Sequence, residues 1–515
     1  MLAKVFSGAS LGIECVLVTV EVDIASAGLP SFTIVGLADR AVEESKERVR
    51  SAIRNTGADF PPKRITLNLA PADLPKEGPS FDLAIAVGLL IASGQLVVDL
   101  ADTLVVGELS LDGGLRSTSG VLGYTMLAKE MGLKRILVPA DNAVEAAVVE
   151  GIEVYSLKSL LEAFQFLSGA IALTPQATTV LETANNHSFE YDFKDIKGQQ
   201  QSKRALEIAA AGAHNVLLSG PPGGGKTLLA RAFPSILPAL THDEALEVTR
   251  IYSINGFTNR NRPLITTRPF RSPHHTASYV GIIGGGNSIK PGEVSLAHRG
   301  VLFLDEASEF PRQVLEALRQ PLEDRKVTIS RASGTLTFPS QFILLAAHNP
   351  CPCGFLGSPN EQSSGALHRK HCICTPGEIS RYKRKLSGPL MDRIDIHLEV
   401  PAVEVEKLTD DTLAEASEKI RLRIEKAREM QRERFKGSGL LTNSEMGSAQ
   451  IKQHCTITQE GMDLLKLAIA QMNLSARGYH RVLKLSRTIA DLASSETVRS
   501  EHVAEALTYR AKEEN

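Results

Sequence analysis

The sequence predicts an α/β protein organised around a phosphate-binding loop, with a second α/β domain before it and a helical lid after it. Three observations carry this reading. Val216-Leu217-Leu218 is a short apolar run suited to a buried parallel strand, and Gly220 to Thr227 then fits G-x-x-x-x-G-K-[ST] at every required position. A second apolar run, Val301-Leu302-Phe303-Leu304, ends in the acidic pair Asp305-Glu306. Strand-like and helix-like segments alternate before the loop, and helix-like periodicity takes over from about Thr412.

At 515 residues the chain has room for roughly three or four domains. A hydrophobic content of 43% and a charged content of 23% describe an ordinary globular protein. The net charge of −2 excludes a globally basic nucleic-acid coat, so any such contact must be local, on a loop or inside a ring pore. Glu14, Glu21 and Asp23 interrupt the N-terminal apolar residues, unlike a signal peptide, and the longest apolar run, Leu83 to Ala92, is half a membrane span. A cytoplasmic protein with no membrane partner is expected.

Residues 1–170 form the first domain. Val16 to Val22 and Ile65 to Leu69 alternate as strands do, Ala38 to Arg54 is an amphipathic helix with Val42, Val49 and Ile53 on one side, and Phe81 to Ala92 is a buried helix. Leu133 to Pro139 and Ile152 to Tyr155 are further strands. Residues 171–188 turn to Thr, Ala, Asn and His with little periodicity and make a linker.

Residues 189–402 are the nucleotide-binding core. A helix from Ser202 to Ala211 leads into the loop Gly220-Pro221-Pro222-Gly223-Gly224-Gly225-Lys226-Thr227, whose glycines let backbone N–H groups turn inward around phosphates. Lys226 reaches the β- and γ-phosphates of ATP, Thr227 and Asp305 serve Mg²⁺, and Glu306 serves the attacking water. The strand from Phe342 to Ala346 delivers Asn349 between these motifs, where it can help position that water. Arg393 stands on a helix-to-strand turn in Gly388 to Asp395; a surface pair with Asp392 or Asp395 is its alternative use. Two insertions read as hairpins: Arg271 to Gly286, interrupting a helix, and Val327 to Ser330 with Thr335 to Phe338. His274 and His275 are taken as structural, since no acidic residue neighbours them in sequence.

Cys351, Cys353, Cys372 and Cys374 cluster far more tightly than six cysteines spread over the chain would. Four thiolates can close a tetrahedral Zn²⁺ site and thereby fold a polar loop, although C-x-C is tighter than the usual spacing. His368 and His371 are alternate ligands, and unligated thiols or a disulfide pair are the other uses. Residues 403–455 form a helical linker, with a long charged helix from Thr412 to Lys436. Residues 456–515 form the lid, with helices from Thr458 to Met472, Ser475 to Ser494 and Ser500 to Lys512. Arg477, at a helix start where cations are disfavoured, reads as functional.

Several stretches resemble known families. Pro75-Lys76-Glu77-Gly78-Pro79-Ser80 and Gly107 to Leu115 resemble the nucleophile region of Lon-type proteases, but Leu122 stands where that family's base, a lysine, belongs. The resemblance therefore implies a Lon-like domain without protease activity, in which Ser80 is a helix-capping hydroxyl. Asn349 occupies the sensor 1 position of AAA+ ATPases, and Arg477 the sensor 2 position of their lids. The segment around Arg393 resembles the L-x-D-R-[FI]-D of magnesium chelatases and minichromosome-maintenance helicases, whose arginine reaches the neighbouring subunit's γ-phosphate. Over nearly its whole length the chain resembles the ComM/YifB group of magnesium-chelatase-like AAA+ ATPases. That resemblance implies a homohexameric ring and an ATP- and Mg²⁺-dependent DNA helicase promoting branch migration during natural transformation. In helicase relatives the hairpins point into the pore, where Lys326 and Arg331 would meet phosphates of single-stranded or branched DNA; solvated surface charges are the alternative. A Lon-like ATP-dependent protease and a magnesium-chelatase-type remodelling ATPase are the rival readings.

Overall fold

The computed structural model describes residues 2–26, 28–179, 189–258, 262–286, 289–331, 334–356, 372–401, 414–472 and 474–510. Two sheets organise them. The first has seven strands, in the order Ser31–Val35, Arg64–Ala70, Glu14–Ile24, Leu2–Leu11, Thr103–Val105, Arg135–Pro139, Glu153–Leu157. Leu2–Leu11 and Glu14–Ile24 form a long antiparallel hairpin, from Leu2 opposite Asp23 to Leu11 opposite Glu14, and the last three strands run parallel to Leu2–Leu11 and to one another. Helix Asp82–Ala92 lies over this hairpin and is buried on nearly every side, which is why its sequence is apolar all round rather than striped. Gly88 permits the close approach, because a Cβ there would fall 2.8 Å from Val22 Cγ2.

The second sheet has five parallel strands, in the order Phe270–Arg271, Val301–Leu304, Ile343–His348, Val216–Ser219, Ile396–Glu399. The three inner strands are near-continuous apolar runs, as strands covered on both faces require, whereas the edge strand Ile396–Glu399 alternates. Helix Gln200–Gly212 covers one face and carries helix Ser417–Arg434 and helices Gln459–Gln471, Ala476–Leu492 and Ser500–Thr508 beyond it. Thr458 and Ser475 cap two of these helices by accepting from the N–H groups of Gly461 and Gly478. Among the described residues no helix is long and apolar enough to cross a membrane.

The two halves meet through a specific contact. Leu122, Val148 and Val149 of the first half pack with Leu246 and Leu264 of the second. Beside them the buried Glu145 carboxylate accepts from Leu122 N (3.2 Å), Ser253 Oγ (2.5 Å) and Thr258 Oγ1 (3.0 Å). Leu122, fully buried, is thus a docking residue. The expectation for Ser80 is corrected: it lies in a single 3₁₀ turn, Pro79–Phe81, and its buried Oγ caps no helix.

Candidate nucleotide site and cysteine cluster

The order of the second sheet sets the site. Strand Val216–Ser219 ends between Ile343–His348 and Ile396–Glu399, with Ser219 opposite both His348 and Glu399. The loop leaving it therefore has Asn349 on one side and Val400 on the other. Gly223 and Gly225 take left-handed φ values of 76° and 84°, and a Cβ on Gly220 would fall 2.2 Å from the Val400 carbonyl oxygen. Helix Lys226–Ala232 starts at the end of the loop. Lys226 Nζ donates to Gly220 O (2.7 Å), Pro221 O (2.9 Å) and Asn349 Oδ1 (3.2 Å). Burial pushes its pKa down, and the Asp305 carboxylate opposes this. Thr227 Oγ1 donates to Asp305 Oδ2 at 2.9 Å, so the two expected Mg²⁺ partners are already adjacent. Gln199 was not expected here. Its Nε2 donates to Gly224 O at 2.5 Å from a left-handed backbone with φ 53°, and its only sequence signal was its place before the helix that precedes the loop.

Glu306 follows strand Val301–Leu304 with a left-handed φ of 50°, and its N–H donates to Asp305 Oδ1. This backbone turn points the two acids in different directions. His275 Nδ1 lies 3.9 Å from Glu306 Oε2, and the His275 ring packs against His274 and edge-on to Phe310. The histidine pair therefore does have an acidic neighbour, brought by the fold rather than by the sequence.

Arg393 and Arg477 stand together at Glu323, and neither is among the hydrogen-bond partners of Lys226 or Thr227. Arg393 donates to Pro389 O (2.7 Å) and to the Glu323 carboxylate, and Arg477 Nη2 lies 3.7 Å from Glu323 Oε1. Arg393 takes Glu323 in place of the adjacent aspartates. Asp395 turns inward to His214 (3.2 Å) and Arg481 (3.7 Å), and although burial raises its pKa, His214 brings it down to about 2. Both arginines border a cavity of about 340 Å³ between the C-terminal helices and the five-stranded sheet, with Arg428, Arg481 and Lys484 on its walls. The expected lid arginine therefore lies beside the expected finger.

The four cysteine sulfurs lie within 4.8 Å of one another. Cys351 Sγ is 3.4 Å from Cys353 Sγ and 3.7 Å from Cys372 Sγ, and none of the thiols is in a disulfide. Zinc–sulfur bonds of about 2.3 Å in a tetrahedron put sulfurs about 3.8 Å apart, so the set fits Zn²⁺. The Phe355 backbone N–H bonds the Cys353 sulfur and lowers its pKa, while the neighbouring sulfurs hold those of Cys372 and Cys374 up. His368 and His371 lie outside the described residues. Of the DNA candidates, Lys326 is exposed at the base of the hairpin formed by Lys326–Arg331 and Gly334–Pro339, whereas the Arg331 side chain is outside the description. The other insertion is a helix, Tyr279–Ile283, followed by the pairing of Gly284–Gly285 with Lys290–Pro291.

A parallel sheet with a phosphate loop leaving its fourth strand and an acidic strand end two places away defines a P-loop ATPase of the AAA+ class. Comparison narrows this. Family models match in three consecutive stretches: subunit ChlI of Mg-chelatase over residues 20–142, magnesium chelatase subunit ChlI over 192–408, and its C-terminal part over 414–510. Competence protein ComM of Haemophilus influenzae is 45% identical over 518 residues, which cover 99% of this chain and 97% of that one. The uncharacterized protein YifB of Escherichia coli is 42% identical over 513 residues, covering 99% and 97%. Lon protease 2 of Bacillus subtilis is 32% identical over 146 residues, covering 27% of this chain and 26% of that protease. The chain belongs to the ComM/YifB family of magnesium-chelatase-like AAA+ ATPases.

Proposed function

We propose that this chain is the subunit of a ring-shaped, ATP- and Mg²⁺-driven DNA motor, a homohexamer promoting branch migration of recombining strands in natural transformation. One observation carries the reading. The chain has a phosphate loop with adjacent Thr227 and Asp305, yet holds Arg393 elsewhere, paired with Glu323. An ATP site whose candidate finger arginine is engaged elsewhere in its own subunit is completed by a neighbour's, and a closed ring supplies that neighbour to every site. In this reading Lys226, Thr227 and Asp305 bind MgATP within one subunit, Glu306 orients the water, and Asn349 holds that water's position. Arg393 reaches the γ-phosphate across the interface, and Arg477 beside it serves the same face. The binding of Mg²⁺ would draw Thr227 and Asp305 off each other and onto the metal.

Family membership with a protein named for competence favours DNA as the partner, and Lys326 offers a phosphate contact that needs no sequence. Among the described residues Ser80 Oγ has no hydrogen-bond partner, and Leu122, at the position of the base, is sealed between the two halves, which disfavours the protease rival. The cysteine cluster binds structural Zn²⁺. The test is strand displacement on a four-way or forked DNA substrate. Displacement with ATP and none with a non-hydrolysable analogue is expected. ATP hydrolysis without displacement or migration of any branched DNA would overturn the motor reading.

A further inference from the structure

The cysteine cluster and the phosphate loop are one mechanical unit. Asn349, which accepts from Lys226 Nζ, is separated from Cys351 by Pro350 alone. From Cys351, which is fully buried, the chain makes a turn closed by Gly354 N donating to Cys351 O at 3.0 Å. That turn sets Gly354 directly on the loop, where an added Cβ would fall 2.6 Å from Pro222 Cδ and 2.7 Å from Pro222 Cγ. Gly354 has a φ of 84°, so both its conformation and its neighbour exclude a side chain. The same turn thus touches the phosphate loop at Pro222 and at Lys226. Cys372 and Cys374, which precede helix Pro376–Lys383, supply the other two sulfurs.

We infer that Zn²⁺ held by Cys351, Cys353, Cys372 and Cys374 braces the phosphate loop through Gly354 and Asn349, so that nucleotide affinity follows metal occupancy. The inference rests on the proposed zinc site and adds a role to it. A metal bound at such a cluster is part of the folding energy of its turn. Losing it frees the Cys351-to-Gly354 turn from its anchor at Cys372 and Cys374. Pro222 then loses its wall, and Lys226 loses the fixed carbonyl-type oxygen of Asn349. The phosphate loop must order itself on each binding event, and that ordering weakens affinity.

The experiment measures metal content and binding of a fluorescent ADP analogue on the full-length protein. Chelation should remove about one zinc per chain and weaken binding about tenfold or more, and added Zn²⁺ should restore it. Gly354→Ala separates the contact from the metal: it should keep its zinc yet also bind the analogue about tenfold more weakly, since left-handed alanine against Pro222 displaces the loop. Zinc removed with affinity unchanged, or Gly354→Ala with full zinc and full affinity, would overturn the inference while leaving the zinc site standing. Protein that neither carries zinc nor takes it up would overturn both.

Discussion

The Arg393 guanidinium donates to the carboxylate of Glu323, on the short helix Arg319–Asp324 that leads into the Lys326–Pro339 hairpin. Arg477, at the start of helix Ala476–Leu492, shares the same carboxylate. Glu323 is half exposed while the Arg393 side chain is largely buried, so the pair lies at the edge of the solvent. What it does is hold two cations side by side at a surface. In the proposed ring, a phosphate from another subunit would compete with Glu323 for these two guanidinium groups. Because Glu323 leads into the hairpin, that competition would connect the nucleotide to the proposed DNA contact at Lys326.

Binding and hydrolysis should separate cleanly within one subunit. Lys226→Ala should abolish nucleotide binding, because it removes the cation that the loop buries for the phosphates. Glu306→Gln should still bind MgATP and accumulate as an assembled, ATP-loaded ring. Equilibrium nucleotide binding, turnover and mass measurement check both; wild-type turnover in Glu306→Gln would remove that residue from the chemistry.

Asp395 gives a pH dependence with a defined sign. Its pKa is about 2 in the fold against 3.8 in the free side chain. A carboxylate depressed in this way stabilises the fold above its unfolded value, and that contribution is lost as pH falls from about 4 through about 2. The shift corresponds to on the order of 2 kcal/mol. Asp395→Asn should therefore be less stable than wild type at pH 7, and the difference should shrink as pH falls through that window. Urea unfolding at a series of pH values reads this directly. A difference that stays constant with pH would assign the loss to packing instead of charge.

The phosphate loop, the acidic strand end, Asn349 at its strand tip, the C-terminal helices and the cysteine cluster were legible because each is a local pattern. What was not legible depends on chain segments meeting. Strand Leu2–Leu11 carries Ser7, Gly8 and Ala9 where alternation would show, and Gly8 is small because Tyr124 packs on it. Strands Ser31–Val35 and Thr103–Val105 are too short to carry a period. Gln199 on the loop, His275 beside Glu306, and Arg477 beside Arg393 are tertiary placements that no spacing encodes. Leu122 was legible as a missing base, but its role at the join between the halves needed Leu246 and Leu264 to be in view.

That join predicts the outcome of trying to rebuild a protease. Leu122→Lys would bury an ammonium among Val148, Val149, Leu246 and Leu264, with the Glu145 carboxylate already taken by three donors. A loss of several kcal/mol in stability is expected, about 3 or more. No peptide cleavage should appear with it, whereas Ser80→Ala should leave ATPase and DNA activity intact. Casein digestion and thermal unfolding check the three proteins; ATP-stimulated cleavage abolished by Ser80→Ala would revive the protease reading.

Arg393 tests the ring itself. If it acts on the next subunit's γ-phosphate, Arg393→Ala should spare ATP binding yet cut turnover by roughly 10³ or more. Arg393→Lys should fail as well, since a compact ammonium cannot reproduce the planar fork that now spans Pro389 and Glu323. A role across the interface also predicts complementation. Mixing Arg393→Ala with Lys226→Ala should create some interfaces where an intact phosphate loop faces an intact arginine, and so restore part of the turnover that neither protein has alone. Native mass measurement establishes that mixed rings form. Mixed rings as inactive as their components would refute the shared site, and so would turnover per chain that stays constant on dilution into clearly monomeric protein.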